Sequence, residues 1–155
     1  MANVSKARVP RGGMMFSVGY EGRSLAEFID TLKFNRVSVL IDVRENAVSR
    51  KPGFGKQSLA NALEAAGIEY RHEPSLGNPK ANRDAFRNGN RAAGKRRYRR
   101  CLNNGARGVY DTVVELAMTK RVALLCFERD DTYCHRSCIV EQAQAENPAL
   151  SVSRL

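Results

Sequence analysis

The order of apolar segments along the chain predicts an α/β fold, in which a mostly parallel sheet is flanked by helices on both faces. Short runs rich in β-branched residues alternate with segments that have a helical apolar period. The run Val37 to Val43 is almost continuously apolar, which is typical of a central strand covered on both faces. A chain of 155 residues with 43% hydrophobic content is long enough for one core. We therefore expect a single three-layer α/β domain over residues 13–155.

The first half of the chain contains signals for two pairs of a strand and a helix. The apolar run Met14 to Gly19 predicts a strand, and Ser24 with Glu27 has the spacing of a capping box. The helix that starts there carries its apolar residues on one face: Leu25, Phe28, Ile29 and Leu32. After the strand over 37–43, prolines and glycines predict a loop to residue 55. A second helix over 58–66 then ends at Gly67.

The second half repeats this alternation around a long polar segment. The short segment Ile68 to His72 predicts a strand on the edge side of the sheet, and the stretch over 73–91 predicts a loop because it is polar and contains prolines and glycines. The remaining elements are helices over 95–102 and 109–119, a strand over 121–126, a helix over 136–146 that Asn147 and Pro148 end, and a last short strand with Val152 and Leu155.

The charge of the chain points to a polyanionic partner. Lys and Arg number 26 against 16 acidic residues, a formal net charge of +10. Nucleic acid or a nucleotide is the first partner that this excess indicates, although basic residues also serve solubility. No apolar run has the length of a membrane span or of a signal peptide. We expect a cytoplasmic protein without a membrane partner, and a flexible basic tail over residues 1–12.

Reactive side chains concentrate just after the predicted fourth strand. Residues 123–138 contain three of the four cysteines and one of the two histidines. Ligand sites in parallel sheets form at the carboxyl ends of the strands, where neighbouring arginines and amide dipoles can make a thiol nucleophilic. We predict a catalytic set of four residues, in which a cysteine is the nucleophile and Glu128 and His135 transfer protons. The set consists of Cys126, Glu128, Cys134 and His135.

Two alternatives explain the same segment without catalysis. A cysteine at a strand end is often a buried structural residue, and the Cys-His-Arg cluster then anchors the last helix as a hydrogen-bonded knot. The second alternative is a zinc site made from four soft or borderline ligands. Because their spacing lacks a C-x2-C pair, we predict no metal, and we also expect no cofactor. The four ligands are Cys126, Cys134, His135 and Cys138.

Two earlier strand ends supply the residues that we expect to bind substrate. Gly19 to Gly22 follows the first strand, and Asp42 with Arg44 follows the second. A buried ion pair that orients the loop is the structural alternative for Asp42 and Arg44. The predicted substrate-binding and anion-binding residues are Tyr20, Asp42, Arg44, Arg129 and Arg136.

A basic tract over residues 91–100 is the candidate nucleic-acid surface. It contains six basic residues in ten, and Tyr98 lies among them. Cationic side chains with an interleaved aromatic ring can follow a phosphate backbone and stack a base. A solvated helix face explains the tract equally well. The predicted contacts are Arg96, Arg97, Arg99 and Arg100.

Together these motifs resemble the DUF488 family, whose name stands for domain of unknown function 488, over residues 14 to about 150. The most specific part is Cys-x-Glu followed by Cys-His-Arg. The resemblance implies a Rossmann-like α/β domain and a site formed by Asp42, Arg44, Cys126, Glu128, Cys134, His135 and Arg136, but no established reaction. The matching motifs are Phe16-Ser-Val-Gly-Tyr-Glu-Gly-Arg-Ser-Leu25, Leu40-Ile-Asp-Val-Arg44 with Ser49, Arg50 and Phe54, Leu76-Gly77, and Leu124-Leu-Cys-Phe-Glu-Arg129 with Cys134-His-Arg136.

A weaker similarity links the segment over 40–45 to rhodanese-like sulfurtransferases, which would make Cys126 a persulfide carrier. The acidic residues Glu128, Asp130 and Asp131 argue against this chemistry, because they would repel an anionic persulfide. The leading hypothesis is an enzyme acting on a nucleotide or nucleic acid. Its alternative is a non-catalytic basic module that binds nucleic acid, with sulfur transfer third.

Overall fold

The computed structural model describes residues 13–155, and the tail predicted over residues 1–12 lies outside this range. Within it, five parallel strands form one sheet in the order β3-β2-β4-β1-β5. Because all strands are parallel, their carboxyl ends and the loops that leave them share one edge of the sheet. The strands are β1 (Met14–Gly19), β2 (Val39–Asp42), β3 (Glu69–His72), β4 (Arg121–Cys126) and β5 (Ser151–Arg154).

Helices cover both faces of the sheet, which confirms the predicted three-layer α/β fold. Alternate residues of a strand point to opposite faces, so Phe16 packs toward α1 and α2 while Met15 packs toward α4, α5 and α6. None of the helices within residues 13–155 is long and apolar enough to cross a membrane. The helices are α1 (Leu25–Phe34), α2 (Lys56–Ala65), α3 (Lys80–Arg87), α4 (Arg91–Asn103), α5 (Arg107–Thr119) and α6 (Arg136–Glu146).

Local sequence signals predicted most of these elements correctly. The capping box is present: the Ser24 hydroxyl oxygen accepts a hydrogen bond from the Glu27 backbone N–H at 3.1 Å, and the Glu27 carboxylate accepts one from the Ser24 N–H at 3.0 Å. The predicted bounds of β4 and α6 match the structure. β2 is shorter than its apolar run, and β3 is an edge strand as predicted.

The loop predicted over 73–91 is wrong, because this segment contains a short 3-10 turn and helix α3. Few apolar residues mark α3, so no apolar run indicates it, although its polar and less polar residues lie on opposite faces. Two inward contacts stabilise the helix instead. Phe86 is buried in the core, and the Asn82 side-chain amide donates a hydrogen bond to the carbonyl oxygen of Gly94 on α4 at 3.0 Å. Tertiary packing therefore decides this element rather than local pattern.

Candidate functional site

The loops at the carboxyl edge of the sheet enclose a cavity of about 150 Å³, which we call the site cavity. One wall follows β4, a second follows β2, and α3 closes the third side. Its lining residues are Tyr20, Arg44, Glu45, Asn46, Val48, Asn78, Arg83, Phe86, Arg87, Cys126, Phe127, Glu128, Tyr133, Cys134 and His135.

All four residues predicted to be catalytic line the site cavity. Cys126 is the last residue of β4 and is partly exposed, and the side chain of Glu128 is 17% exposed. Cys134 and His135 lie just before α6 and are only 3% and 4% exposed. The reactive side chains of two separate turns of the chain therefore meet in one small space.

His135 is fixed at both ring nitrogens. Its Nε2 lies 2.9 Å from the carbonyl oxygen of Val43, and its Nδ1 lies 3.5 Å from the Sγ of Cys134. A carbonyl oxygen only accepts hydrogen bonds, so Nε2 carries the proton and donates to Val43. The other ring nitrogen, Nδ1, faces the Cys134 sulfur.

Cys126 and Cys134 are two interacting thiols, and all four cysteines of the chain are free. Burial works against a charge on Cys134, but the interaction with the Cys126 thiol and the charges of His135 and Arg136 outweigh it and lower the pKa of Cys134 well below the ordinary thiol range. The same interaction, together with burial, raises the pKa of Cys126. The two thiols therefore titrate as a coupled pair, in which Cys134 loses its proton more readily than Cys126.

Asp42 and Arg44 form a buried ion pair. Asp42 is fully buried, and its two carboxylate oxygens accept hydrogen bonds from the Arg44 guanidinium at 2.6 and 2.8 Å. A third bond to Asp42 comes from the Tyr70 hydroxyl at 2.5 Å. Arg44 also donates to the carbonyl oxygen of Phe54 at 2.7 Å. Burial disfavours the charge on Arg44, yet the hydrogen bonds and charge of Asp42 raise its pKa. These contacts match the structural alternative: Asp42 does not line the site cavity, and Arg44 lines it while bound to its partners.

Tyr20 lines the site cavity as an aromatic wall. Its ring stacks on Phe54 with the centroids 4.5 Å apart and meets the Phe127 ring edge-on at 5.3 Å. The Tyr20 hydroxyl lies 3.4 Å from an Arg44 nitrogen that donates to it. Tyr20 therefore ties the loop after β1 to the loops after β2 and β4.

Arg129 and Arg136 do not line the site cavity. Arg136 is fully buried and donates a hydrogen bond to the carbonyl oxygen of Glu128, which fixes the loop that carries this carboxylate. Its Nε and Nη1 have no hydrogen-bond partner among residues 13–155, and the same holds for Nη1 of the nearby buried Arg23. Burial, with the charges of Arg129 and Arg136, lowers the pKa of Arg23.

A family model for the Domain of unknown function DUF488 matches residues 24–143, which is well over half of the chain. The chain belongs to the DUF488 family. This match confirms the resemblance seen in the motifs, and it spans Asp42, Arg44 and the four predicted catalytic residues. Comparisons with the curated proteins and with the solved structures found no match.

Helix α3 adds two arginines to the DUF488 site that the sequence did not indicate. Arg83 pairs with Glu45 at 3.2 Å, and Arg87 pairs with Glu128 at 3.0 Å. The two arginines are four residues apart and so lie on one face of α3. That spacing was the available signal, but it has meaning only once the segment is known to be helical.

Two exposed aromatic side chains lie beside the cysteines of this DUF488 chain. Phe127 is 41% and Tyr133 44% exposed, and both line the site cavity. The guanidinium of Arg91 lies over the Tyr133 ring, 4.8 Å from its centroid. Large exposed aromatic residues next to a reactive segment were the signal for this part of the site.

The basic tract of the DUF488 chain is mostly exposed on α4. Arg96, Arg97 and Arg100 are exposed, whereas Arg99 pairs with Glu141 at 3.3 Å. The prediction that Tyr98 stacks a base is wrong, because Tyr98 is buried and its hydroxyl donates to the carbonyl oxygen of Leu76 at 2.6 Å. Tyr98 faces the core because α4 packs with that side against α3, α5 and α6, and the centroid of its ring lies 5.0 Å from that of the His135 ring.

Proposed function

We propose that this DUF488 chain is an enzyme that acts on the base of a nucleotide or nucleic acid, with the site cavity as its active site. The observation that supports this most is the meeting of Cys126, Glu128, Cys134 and His135 in one cavity. Titratable and nucleophilic groups gathered in a concave pocket are typical of an active site.

The chemistry proposed for the site centres on the Cys134 sulfur and on Glu128. Cys134 contacts the His135 ring at 3.5 Å, an arrangement that makes sulfur electron-rich. Glu128 is the carboxylate of the same cavity, and its ion pair with Arg87 holds it at the wall. A positioned carboxylate takes or gives a proton while the substrate reacts. In this proposal Glu128 is the acid–base group.

The size and walls of the cavity support a flat, polar substrate group. A volume of about 150 Å³ is below the range of ~300–1,000 Å³ typical of drug-sized ligands. Aromatic rings of Tyr20, Phe127 and Tyr133 offer stacking surfaces, and the side-chain amides of Asn46 and Asn78 offer hydrogen bonds to a base edge. A nucleobase fits these properties.

The arginines around the cavity and the net charge of the chain support a substrate that carries a phosphate group. Arg83 and Arg87 line the cavity, Arg91 lies next to it over Tyr133, and the whole chain carries a formal +10. Guanidinium groups bind phosphate oxygens well because their planar donors match the anion.

The second candidate is a module that binds nucleic acid without catalysis. The exposed arginines of α4 favour it, since Arg96 and Arg100 line one shallow groove together with Arg99. Arg97 lies on a different side of the helix, near Cys101. In this candidate the thiol–imidazole cluster only anchors α6.

The two candidates differ in which residues matter. We would measure the binding of nucleoside monophosphates and of a single-stranded oligonucleotide, and analyse each mixture for altered bases by mass spectrometry. The enzyme proposal predicts that Glu128→Gln abolishes base alteration and that the triple change Arg96→Gln, Arg97→Gln, Arg100→Gln leaves monophosphate binding within about twofold. The enzyme proposal would be overturned in favour of the binding module if monophosphate binding were unchanged in Tyr133→Ala and lost in the triple variant.

A further inference from the structure

We infer that Cys126, Cys134 and His135 form a binding site for a thiophilic divalent cation, with Zn²⁺ the ion that this donor set favours. The expectation of no metal rested on the spacing of four residues along the sequence. The fold changes the ligand set, because Cys138 lies in the core on α6, outside the cluster of potential ligands. Three ligands remain, and they converge.

The distances between the three donor atoms suit a tetrahedral zinc site. The two sulfurs and a ring nitrogen of His135 all lie within 4.8 Å of one another. Zinc binds sulfur at about 2.3 Å and imidazole nitrogen at about 2.0 Å, so in a tetrahedron these two donors lie about 3.5 Å apart. The observed distance from the Cys134 Sγ to the His135 Nδ1 is 3.5 Å. To complete the site, the side chain of Cys126 moves toward the ion. Cys126 is partly exposed at the end of β4.

The second nitrogen of His135 is held as in a metal-binding histidine. A ligating imidazole donates its other N–H to a carboxylate or a backbone carbonyl, which fixes the ring and makes the free nitrogen more basic. Here the Nε2 proton goes to the carbonyl oxygen of Val43 at 2.9 Å, and Nδ1 faces the sulfur. This support comes from β2 and is independent of the two cysteines.

The charges of the cluster also suit a divalent cation. Two thiolates side by side repel each other in a buried site, and a cation with two positive charges removes this repulsion. Soft sulfur ligands with one imidazole select zinc over magnesium or calcium, which prefer oxygen. Glu128 lies in the same cavity, with its carboxylate bound to Arg87 at 3.0 Å, and it stays outside the ligand set.

The fourth coordination position opens into the site cavity, because all three ligands line it. Sites with three protein ligands and one open position are the catalytic type, whereas structural zinc sites have four protein ligands. Water at that position becomes more acidic on the ion and lies in the same cavity as Glu128. The use of this water in catalysis rests on the proposed function, in which a metal-bound Cys134 is a ligand and no longer the reacting sulfur. The binding of the ion itself does not rest on that proposal.

The test uses the reduced, metal-free full-length chain titrated with Co²⁺, which reports thiolate ligation by a sulfur-to-cobalt charge-transfer absorption. We expect one Co²⁺ per chain with this absorption, and its loss when Zn²⁺ is added. Cys126→Ser and Cys134→Ser should reduce the absorption and weaken binding by more than the ~10–100-fold that a lost second-shell partner costs. Cys101→Ser is the matched control, since Cys101 is exposed on α4 outside the cluster. Circular dichroism checks that each variant folds.

An X-ray absorption spectrum of the zinc-loaded wild-type protein keeps the test valid if a serine variant fails to fold. Two sulfur neighbours at about 2.3 Å support the site, and a shell of oxygen and nitrogen alone overturns it. Equal cobalt absorption in wild type, Cys126→Ser and Cys134→Ser would also overturn it. Cobalt binding without nucleotide binding would support the metal site and contradict the proposed function. Nucleotide binding without cobalt binding would contradict only the metal site.

Discussion

Asp42 and Arg44 form a buried ion pair that supports the loop after β2 next to the site cavity. The two charged groups lie beneath the wall of the site cavity. Both carboxylate oxygens of Asp42 have a hydrogen-bond donor within 2.8 Å. A buried ion pair contributes little net stability against an apolar pair, but removal of one partner leaves the other charge uncompensated. Arg44 thus holds the loop after β2 in place through its bonds to Asp42 and to the Phe54 carbonyl oxygen.

Replacement of Asp42 by Asn should therefore destabilise the protein strongly. We expect a loss of about 3–5 kcal/mol in the free energy of unfolding, because the Arg44 charge stays buried without its partner. Tyr70→Phe is the control, since it removes one hydrogen bond to the same carboxylate, worth about 1.5–3 kcal/mol because the acceptor is charged. Urea denaturation of the two variants gives both values. Equal losses in the two variants would contradict the view that charge compensation is the function of Asp42.

Helix α3 is the element that completes the site, and it depends on close contact with α4. Gly94 on α4 has no room for a side chain: a Cβ there would lie 3.1 Å from the Ala85 Cβ and 3.2 Å from the Phe86 ring. The contact brings Arg83 and Arg87 to the cavity. A small residue on one helix thus determines the position of cationic groups on another.

A larger residue at position 94 should push the two helices apart. We expect Gly94→Leu to lose about 1–3 kcal/mol of stability through overpacking. Gly108→Leu on α5 is the matched control, because nothing lies within 4 Å of a Cβ at that position, and helix propensity there favours leucine. The comparison requires only urea denaturation curves. Similar stabilities for the two variants would show that α3 does not pack as described.

The end of α6 is attached to the start of α5 by charge. Glu146 accepts hydrogen bonds from the Arg107 guanidinium at 3.1 and 3.2 Å and from the Tyr110 hydroxyl at 2.8 Å. The hydrogen bond with Arg107 lowers the pKa of Glu146 below its ordinary value. A carboxylate whose folded pKa is lowered contributes stability that is present above its unfolded pKa of ~4.3 and lost as the pH falls through the folded pKa.

For this reason Glu146→Gln should lower the urea midpoint at neutral pH relative to wild type. Once the pH is below the folded-state pKa of Glu146, the midpoints of the variant and of wild type should coincide. Glu115→Gln on the exposed face of α5 serves as the control. Urea titrations from neutral pH down to about pH 3 measure the effect. A difference between Glu146→Gln and wild type that does not shrink as the pH falls would exclude this ion pair as its cause.

For the whole molecule, local signals predicted the sheet and most helices because each carries its own apolar period or cap. The cluster of Cys126, Glu128, Cys134 and His135 was predictable since it lies within ten residues of sequence at a strand end. The contribution of α3 was not, because that helix is stabilised by Phe86 and by contacts with α4. Likewise, the burial of Tyr98 follows from the packing of α4 against α3, α5 and α6, which the basic residues around Tyr98 in the sequence do not indicate.

The net charge of +10 predicts how the whole molecule responds to salt. If the exposed arginines of α4 bind an oligonucleotide, affinity should fall linearly with salt on logarithmic axes, with a slope of about −0.7 for each phosphate neutralised on a single strand. The variant with Arg96, Arg97 and Arg100 changed to Gln should have a flatter slope by about 2. Filter binding at several salt concentrations measures it. An unchanged slope would show that these residues do not contact phosphate.

The central claim is that the site cavity binds the base of a nucleotide next to the cysteine cluster. Site-resolved mass spectrometry can follow the alkylation of metal-free wild-type protein with and without a saturating nucleoside monophosphate. Cys126 lines the cavity and is partly exposed, while Cys101 lies on the surface of α4 and is an internal control. We expect the nucleotide to slow alkylation of Cys126 at least severalfold and to leave Cys101 unchanged. Equal alkylation rates at Cys126 with and without every monophosphate would contradict it.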